Sequence, residues 1–149
     1  MRYLAFDLGA RRSGVAAGED VTGLAQPLQV LEVPAGEQLL QALAALVREH
    51  APDVIVVGLP LNMDGTEGPA AAEARRFAGE LSARSGVPVE LQDERLTSFE
   101  ADQRMARSGR THGQKRGLRD ALAAAALLEE FMRRTRRGPD TSEAPPPPE

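Results

Sequence analysis

Three acidic residues stand where strand ends and a helix start would bring carboxylates together. Asp7 closes the first predicted strand, Glu94 follows the fifth, and Asp120 is predicted at the head of the last helix. In open α/β sheets, functional sites form outside the carboxyl ends of the strands. We therefore expect these three side chains to meet in one cleft.

A cluster of carboxylates in a cleft needs cations to offset its charge. Oxygen ligands select Mg²⁺ or Mn²⁺ over Zn²⁺. Such an ion can activate a water molecule and stabilise the leaving oxygen when a phosphodiester is cleaved. The pattern thus predicts a Mg²⁺ or Mn²⁺ site held by Asp7, Glu94 and Asp120.

Each acid also has an ordinary structural explanation. Asp7 is of a type that often begins a turn. Glu94 is followed by Arg95 and can pair with it or lie on the surface. The negative charge of Asp120 can stabilise the N-terminus of a helix. Taken singly, each residue leaves both interpretations open.

The first element that would position an acid is a hairpin. Alternation along its first strand places Asp7 on the same face as Tyr3 and Ala5. The turn that follows carries Arg11 and Arg12 at its tip, which makes both candidates for contact with nucleic acid. We therefore expect the hairpin to place the Asp7 carboxylate in a cleft beside the side chains of Arg11 and Arg12.

The rest of the chain alternates between strand and helix patterns. Strands are predicted at residues 2–8, 14–18, 28–33, 53–58 and 87–91, and helices at residues 36–50, 69–84, 98–109 and 120–134. Thr97 and Glu100 fit a capping box for the third helix, and residues 109–117, with three glycines, predict a loop. The order β-β-β-α-β-α-β-α-α predicts an α/β fold with a mixed five-stranded sheet flanked by helices.

Composition narrows the class of protein. A chain of 149 residues suits one domain, and the absence of cysteine excludes disulfides and thiolate metal sites and suits a reducing cytoplasm. No apolar run approaches the roughly 18 residues that span a bilayer, so we expect a cytoplasmic protein with no membrane partner. Residues 138–149 are acidic and rich in proline, which predicts a disordered tail after a domain of residues 1–137.

The net charge of −4 argues mildly against nucleic acid as a partner, but basic residues concentrate locally. Residues 103–119 contain no acid. Their basic residues include Arg104, Arg107, Arg110, Lys115 and Arg116. This pattern predicts contacts with a nucleic-acid backbone, and the alternative is a solvated helix face.

The loop after the fourth predicted strand, LPLNMDGTEG, is a second candidate for phosphate contact. Gly58 and Asn62 lie where backbone N–H groups could face a phosphate at the N-terminus of the next helix. A turn followed by a helix cap explains the same residues equally well. Asn62 is retained as a candidate for contact with nucleic acid.

Four motifs, DLGARRSGVA, VVGLPLNMDGTEG, DERLTS and RDALAAAALL, resemble in this order the YqgF family over about residues 2–135. Members of that family are described as Holliday-junction-resolvase-like proteins and as nucleases that mature the 5′ end of pre-16S rRNA. The resemblance implies an RNase H-like fold. It also implies that Asp7, Glu94 and Asp120 are the catalytic acids.

Two positions depart from the family pattern. Related junction resolvases carry a further acid one helical turn after the last catalytic Asp, and Ala123 occupies that position here. This difference argues against a symmetric pair of tightly held metal ions. Arg11 stands where many members have Lys, so the positive charge is kept.

The sequence therefore predicts a metal-dependent endonuclease on structured nucleic acid, with pre-rRNA as the first candidate and four-way DNA junctions as the second. A kinase of the actin–hexokinase type shares the Asp-x-Gly hairpin but needs two such domains, and this chain has one such hairpin. A non-catalytic ribosome or transcription factor would be favoured by loss of an acid, and all three acids are present. RNA or DNA, and monomer or homodimer, remain open alternatives.

Overall fold

A mixed β-sheet carries the fold in the computed structural model, which describes residues 1–95 and 112–136. Within those residues the strands are β1 (Arg2–Leu8), β2 (Ser13–Glu19), β3 (Leu24–Leu31), β4 (Val54–Leu59) and β5 (Val89–Asp93), and the helices are α1 (Glu37–His50), α2 (Pro69–Ser85) and α3 (His112–Arg136). The strand order is β3-β2-β1-β4-β5. Strand β2 is antiparallel to β1 and β3, whereas β1, β4 and β5 run parallel. The predicted mixed five-stranded sheet is confirmed.

Strand alternation sends the side chains of β1 into two separate cores. Leu4 and Phe6 pack with the leucines of α1 on one face, whereas Tyr3 and Ala5 pack with α3 on the other. The ring of Tyr3 meets that of Phe131 edge to face, with 5.7 Å between centroids. Asp7 therefore continues the α3 face, as the alternation predicts.

Helices α1 and α2 cover the opposite face and confirm the predicted bounds to within one residue. The buried stripe of α1 contains Leu39, Leu40, Leu43, Ala44, Leu46 and Val47. Ala51 follows the last residue of α1 and adopts a left-handed conformation just before Pro52, and Gly86 follows α2 in the same conformation. The apolar periodicity and these stop signals were sufficient to define both helices.

Strand β3 begins four residues earlier than predicted, because it runs through Pro27 rather than starting after it. Pro27 lies opposite Ala16, next to an irregularity in the β2–β3 register. The strand lies at the edge of the sheet, where a residue without an N–H group is tolerated. Reading proline as the entry to the strand was therefore wrong.

Helix α3 begins at His112, so the predicted loop over residues 109–117 is wrong from His112 onward, and its first three residues lie outside the described ranges. The predicted helix start near Asp120 is also wrong. Asp120 lies about two turns inside the helix. Each of Gly113 and Gly117 disfavours a helix by only about 1 kcal/mol relative to Ala. Burial of the Ala- and Leu-rich stripe from Ala121 to Met132 against the sheet offsets that penalty.

Two predictions fall outside the ranges that the structure describes. They are the helix over residues 98–109, with its Thr97–Glu100 capping box, and the tail over residues 138–149. None of the helices in residues 1–95 and 112–136 combines the length and apolar character that a membrane span requires.

Candidate active site

The carboxyl ends of β1 and β5 lie at one edge of the sheet, because both strands run parallel to β4. Asp7 is the penultimate residue of β1, and Glu94 directly follows β5. Strand β4 separates these two strands in the sheet. The Glu94 side chain must therefore cross β4 to reach Asp7.

Gly58 on β4 makes this crossing possible. A β-carbon at position 58 would collide with Oε2 of Glu94 and would lie 3.4 Å from Cδ2 of Leu127 in α3. The Glu94 carboxyl group thus passes over a strand position that has no side chain, on the face covered by α3. The backbone N–H of Glu94 donates to the carbonyl oxygen of Leu59 at 3.3 Å, which holds the residue beside β4.

Gly14 plays the corresponding role for Asp120. It is the cross-strand partner of Asp7 in the β1–β2 pair. A β-carbon here would overlap the backbone carbonyl of Asp120 and would lie 2.8 Å from the nitrogen of Ala121. Helix α3 therefore crosses β2 in backbone contact, which brings Asp120 next to the strand pair that carries Asp7.

Asp7 and Glu94 share a hydrogen bond between their side chains. Burial, followed by the negative charge of Asp7 and this hydrogen bond, raises the pKa of Glu94 to about 8. Burial also raises the pKa of Asp7, opposed by the bond to Glu94 and reinforced by the charge of Asp120. At neutral pH the pair therefore keeps one proton, mainly on Glu94, and this proton holds the two carboxyl groups together.

Asp120 is held by a different contact. Its Oδ2 atom lies 3.3 Å from Nε of Arg12 on the β1–β2 turn. This oxygen is buried, and it accepts no hydrogen bond from the residues that the structure describes. The Coulomb attraction of Arg12 therefore acts on an oxygen whose lone pairs are otherwise unused.

The three acids fit a hard divalent cation in the chemistry of their oxygen ligands. Asp120 has a buried oxygen that accepts no hydrogen bond from the described residues, and burial is the main cause that raises the pKa values of Asp7 and Glu94. All three carboxyl groups therefore lie where a bound cation would offset the cost of burying their charge. In their present arrangement, however, no three acidic or histidine side chains within residues 1–95 and 112–136 converge on one point. A hydrogen bond joins Asp7 to Glu94 instead, and an ion pair draws Asp120 to Arg12.

The loop between β4 and α2 is a turn closed by its own hydrogen bonds. Leu61 and Glu67 form an isolated bridge, and the backbone N–H groups of Asn62, Gly65 and Thr66 all donate within the loop. The Asn62 side-chain amide donates to Oγ1 of Thr66 at 2.9 Å. Because these N–H groups are used internally, the turn explains this loop better than a phosphate cradle does.

Arg95 connects that loop to the strand beside the acids. Its guanidinium binds the Asp93 carboxylate, with 2.7 Å between Nη2 and Oδ2, and donates to the carbonyl oxygen of Met63 at 3.2 Å. The sequence suggested Glu94 as its partner, whereas this cation pairs with Asp93. Arg95 therefore braces the segment from which Glu94 projects.

The structure describes only some of the residues that were predicted to contact nucleic acid. Arg11, Arg12 and Asn62 are exposed near the carboxyl edge of the sheet. Lys115 and Arg116 belong to the first turns of α3, although their side chains are not described. Arg104, Arg107 and Arg110 lie outside the described ranges.

The face of the sheet that α1 and α2 cover is less suited to binding a polyanion. A groove of about 640 Å³ opens there beside Leu8, between α1 and α2. Glu37, Glu73 and Glu80 line it, and Arg76 is the one basic residue among its described lining. Glu37 and Glu73 are already paired with Arg84 and Arg76, so the described lining of the groove offers no unpaired cation to a phosphodiester backbone. The exposed turn that carries Arg11 and Arg12 is the more favourable approach.

The architecture is that of the RNase H-like resolvases. The chain is similar to a structure of T. thermophilus RuvC in complex with a Holliday junction substrate, with a TM-score of 0.58 and 16% identity over 93% of this chain and 97% of that one. A fowlpox virus resolvase with its Holliday junction DNA gives a TM-score of 0.58 and 13% identity over 90% and 98% of the two chains. At such identities the likeness establishes the fold alone.

Sequence relatives define the family. Residues 1–134 match the family described as RuvX, Holliday junction resolvase. A protein of Anaeromyxobacter sp. (strain Fw109-5) named "Putative pre-16S rRNA nuclease" is 48% identical over 132 residues, which cover 89% of this chain and 96% of that protein. A protein of the same name from Escherichia coli O139:H28 is 42% identical over 87% of this chain and 94% of that protein. The chain belongs to the RuvX family, which confirms its resemblance to the family also called YqgF.

Proposed function

We propose that this protein is a metal-dependent endonuclease that hydrolyses phosphodiester bonds in structured nucleic acid, with the 5′ end of pre-16S rRNA as its substrate. The observation that carries the proposal is the hydrogen-bonded pair of Asp7 and Glu94, with Asp120 beside it, at the carboxyl edge of the sheet. The names of the relatives support the nuclease reaction and the choice of RNA.

Asp7, Glu94 and Asp120 would hold a Mg²⁺ or Mn²⁺ ion through their carboxylate oxygens. When bound, such an ion supplies an activated water and stabilises the leaving oxygen. Glu94 would release its proton as it became a ligand, because ligands bind in their deprotonated form. Asp120 would approach from the side opposite Glu94, since α3 crosses β2 at Gly14 while Glu94 crosses β4.

The nucleic-acid backbone would approach across the β1–β2 turn and the first turns of α3. Arg11 and Arg12 are exposed on that turn, with Asn62 exposed nearby on the β4–α2 loop. Lys115 and Arg116 belong to those helical turns, and Arg104, Arg107 and Arg110 precede them in the sequence. Basic residues in this arrangement neutralise phosphates without reading bases.

Cleavage of four-way DNA junctions is the second candidate function. It is favoured by the family description and by the junction-bound proteins that share the fold. Two symmetric cuts across a junction would require a two-fold homodimer, whereas one cut at an rRNA end requires only a monomer.

Cleavage assays on two substrates test the function. Labelled pre-16S rRNA leader and a labelled four-way junction are each incubated with wild type, Asp7→Asn or Glu90→Gln, in Mg²⁺, Mn²⁺ or EDTA. Glu90 is the matched control because it is an exposed acid on β5, four residues before Glu94. We expect wild type and Glu90→Gln to cut the rRNA only with metal, and Asp7→Asn to be inactive.

The other outcomes are equally informative. Cleavage of the junction alone would establish the second candidate. Full activity of Asp7→Asn, or of wild type in EDTA, would contradict the site.

A further inference from the structure

Arg12 and Asp120 form an ion pair that competes with the proposed metal site. Nε of Arg12 lies 3.3 Å from Oδ2 of Asp120. That oxygen accepts no hydrogen bond within the part of the chain that the structure describes. An Asp120 oxygen turned toward Arg12 is therefore an oxygen withheld from a cation between Asp7 and Glu94.

The backbone at Arg12 is closely packed, whereas its side chain is partly exposed. A β-carbon at Gly9 would lie 2.6 Å from the carbonyl oxygen of Arg12, so the two residues meet in a tight turn. The next residue, Ser13, is buried in β2. The Arg12 side chain is nevertheless 41% exposed, and a long flexible side chain can exchange partners while its backbone stays in place.

Both possible partners of Arg12 are anions. A guanidinium binds carboxylates and phosphates in the same planar geometry. Arg12 contacts Asp120 of α3 and is not among the described residues that line the acidic groove, so it lies on the proposed path of a phosphate backbone. Asp120 is thus the partner available within the protein, and a substrate phosphate is the partner available from outside.

We infer that Arg12 exchanges Asp120 for a substrate phosphate, and that this exchange couples nucleic-acid binding to metal binding. Without substrate, Arg12 is paired with Asp120, and this pairing lowers the affinity of the site for the cation. With substrate, the phosphate takes Arg12 and Asp120 becomes free for the cation. The inference rests on the proposed function, because it needs both a cation and a phosphate at this edge.

The coupling makes two predictions of opposite sign for one substitution. Arg12→Gln removes the side chain that competes with the cation for Asp120. Mn²⁺ should therefore bind more tightly to the free protein, by about two- to fivefold for a partly exposed ion pair. The same substitution removes a phosphate contact, so nucleic acid should bind more weakly in the presence of a divalent cation. By reciprocity, the enhancement of nucleic-acid binding by the cation should shrink in Arg12→Gln.

Calorimetric titration of Mn²⁺ into the protein without nucleic acid gives the first readout. Binding of labelled pre-16S rRNA leader in EDTA and in Ca²⁺ gives the second readout, and a denaturing gel checks that the RNA stays intact. Arg11→Gln is the matched control, because it removes the neighbouring charge on the same turn but leaves the Arg12–Asp120 pair. Arg12→Lys keeps the charge and should bind Mn²⁺ as the wild type does.

Equal or weaker Mn²⁺ binding by Arg12→Gln, compared with wild type and Arg11→Gln, would overturn the exchange and leave the nuclease proposal standing. Failure of both the wild type and Arg12→Gln to bind Mn²⁺ would instead remove the metal site and the proposed function with it. Tighter Mn²⁺ binding by Arg12→Gln together with a smaller enhancement of RNA binding by Ca²⁺ would establish the coupling.

Discussion

Gly14 and Asp120 are in backbone contact, because α3 crosses β2 at a position that has no side chain. Gly14 is also the cross-strand partner of Asp7. This one contact therefore sets the separation between two of the three candidate acids. A side chain at position 14 would hold the helix, and Asp120 with it, away from Asp7.

Gly14→Ala should damage both the fold and the site. The added methyl group meets backbone atoms of Asp120 and Ala121, which cannot turn aside. We expect the free energy of unfolding to fall by about 1–3 kcal/mol and cleavage to fall by about a hundredfold, as expected when a reacting group is misplaced by about 1 Å. Urea denaturation and cleavage rates measure the two effects.

Gly79→Ala is the control for that substitution. Gly79 lies in α2, and a β-carbon there has no neighbour within 4 Å. The variant should cleave normally and gain about 0.5–1 kcal/mol of stability, because Ala favours a helix interior over Gly. If Gly14→Ala behaved like Gly79→Ala, the helix crossing would not position Asp120.

Gly58→Ala should separate activity from stability. Here the added methyl group meets the end of the Glu94 side chain rather than backbone, so the side chain can turn away. We expect a large loss of cleavage with little change in the denaturation midpoint. A variant that unfolded as readily as Gly14→Ala would show that position 58 supports the core rather than the acid.

The Asp7–Glu94 pair should make stability depend on pH. Burial and Asp7 raise the pKa of Glu94 from 4.5 to about 8, so the folded protein binds a proton that the unfolded chain releases. This contribution is complete below about pH 4.5 and is lost as the pH rises toward about 8. The free energy of unfolding of the apoprotein should therefore fall over this interval.

Denaturation of three proteins across that pH interval isolates the effect. Glu94→Gln cannot ionise and should lose most of the decrease, whereas Glu90→Gln, altered at an exposed position of the same strand, should keep it. Parallel pH profiles for wild type and Glu94→Gln would show that this pair does not control the pH dependence.

The basic residues between positions 103 and 119 should contribute to the salt dependence of nucleic-acid binding. Neutralising Arg110, Lys115 and Arg116 together should reduce the slope of log K against log salt by roughly 0.7–0.9 for each phosphate that the variant no longer neutralises. Arg48→Gln, on the exposed face of α1, should leave the slope unchanged. Equal slopes for all proteins would remove these residues from the interface.

Local patterns were sufficient for much of the fold. Alternation in β1 placed Asp7 on the face that packs against α3, and apolar periodicity defined α1 and α2. The position of Glu94 after β5 followed from the chain order of the elements. These features depend on neighbours in sequence, so a single sequence contains them.

The remaining features depend on tertiary contacts. Gly113 and Gly117 suggested a loop, but packing of α3 on the sheet outweighs their low helix propensity. The sequence predicted that Gly14 begins a strand and that Gly58 ends one and could face a phosphate. In the structure both glycines instead allow the close approach of Asp120 and Glu94. A glycine inside a strand pattern signals such an approach, but not which segment approaches.

Mn²⁺-dependent melting of wild type and Asp7→Asn tests the central claim most directly, namely that Asp7 binds a cation together with Glu94 and Asp120. In EDTA, Asp7→Asn should melt at or above the wild-type temperature, because it removes a repelling charge and its amide can still hydrogen-bond to Glu94. With Mn²⁺ at a hundredfold excess over its dissociation constant, wild type should gain about 2.7 kcal/mol, and the variant much less. Equal stabilisation of both proteins by Mn²⁺ would contradict the account.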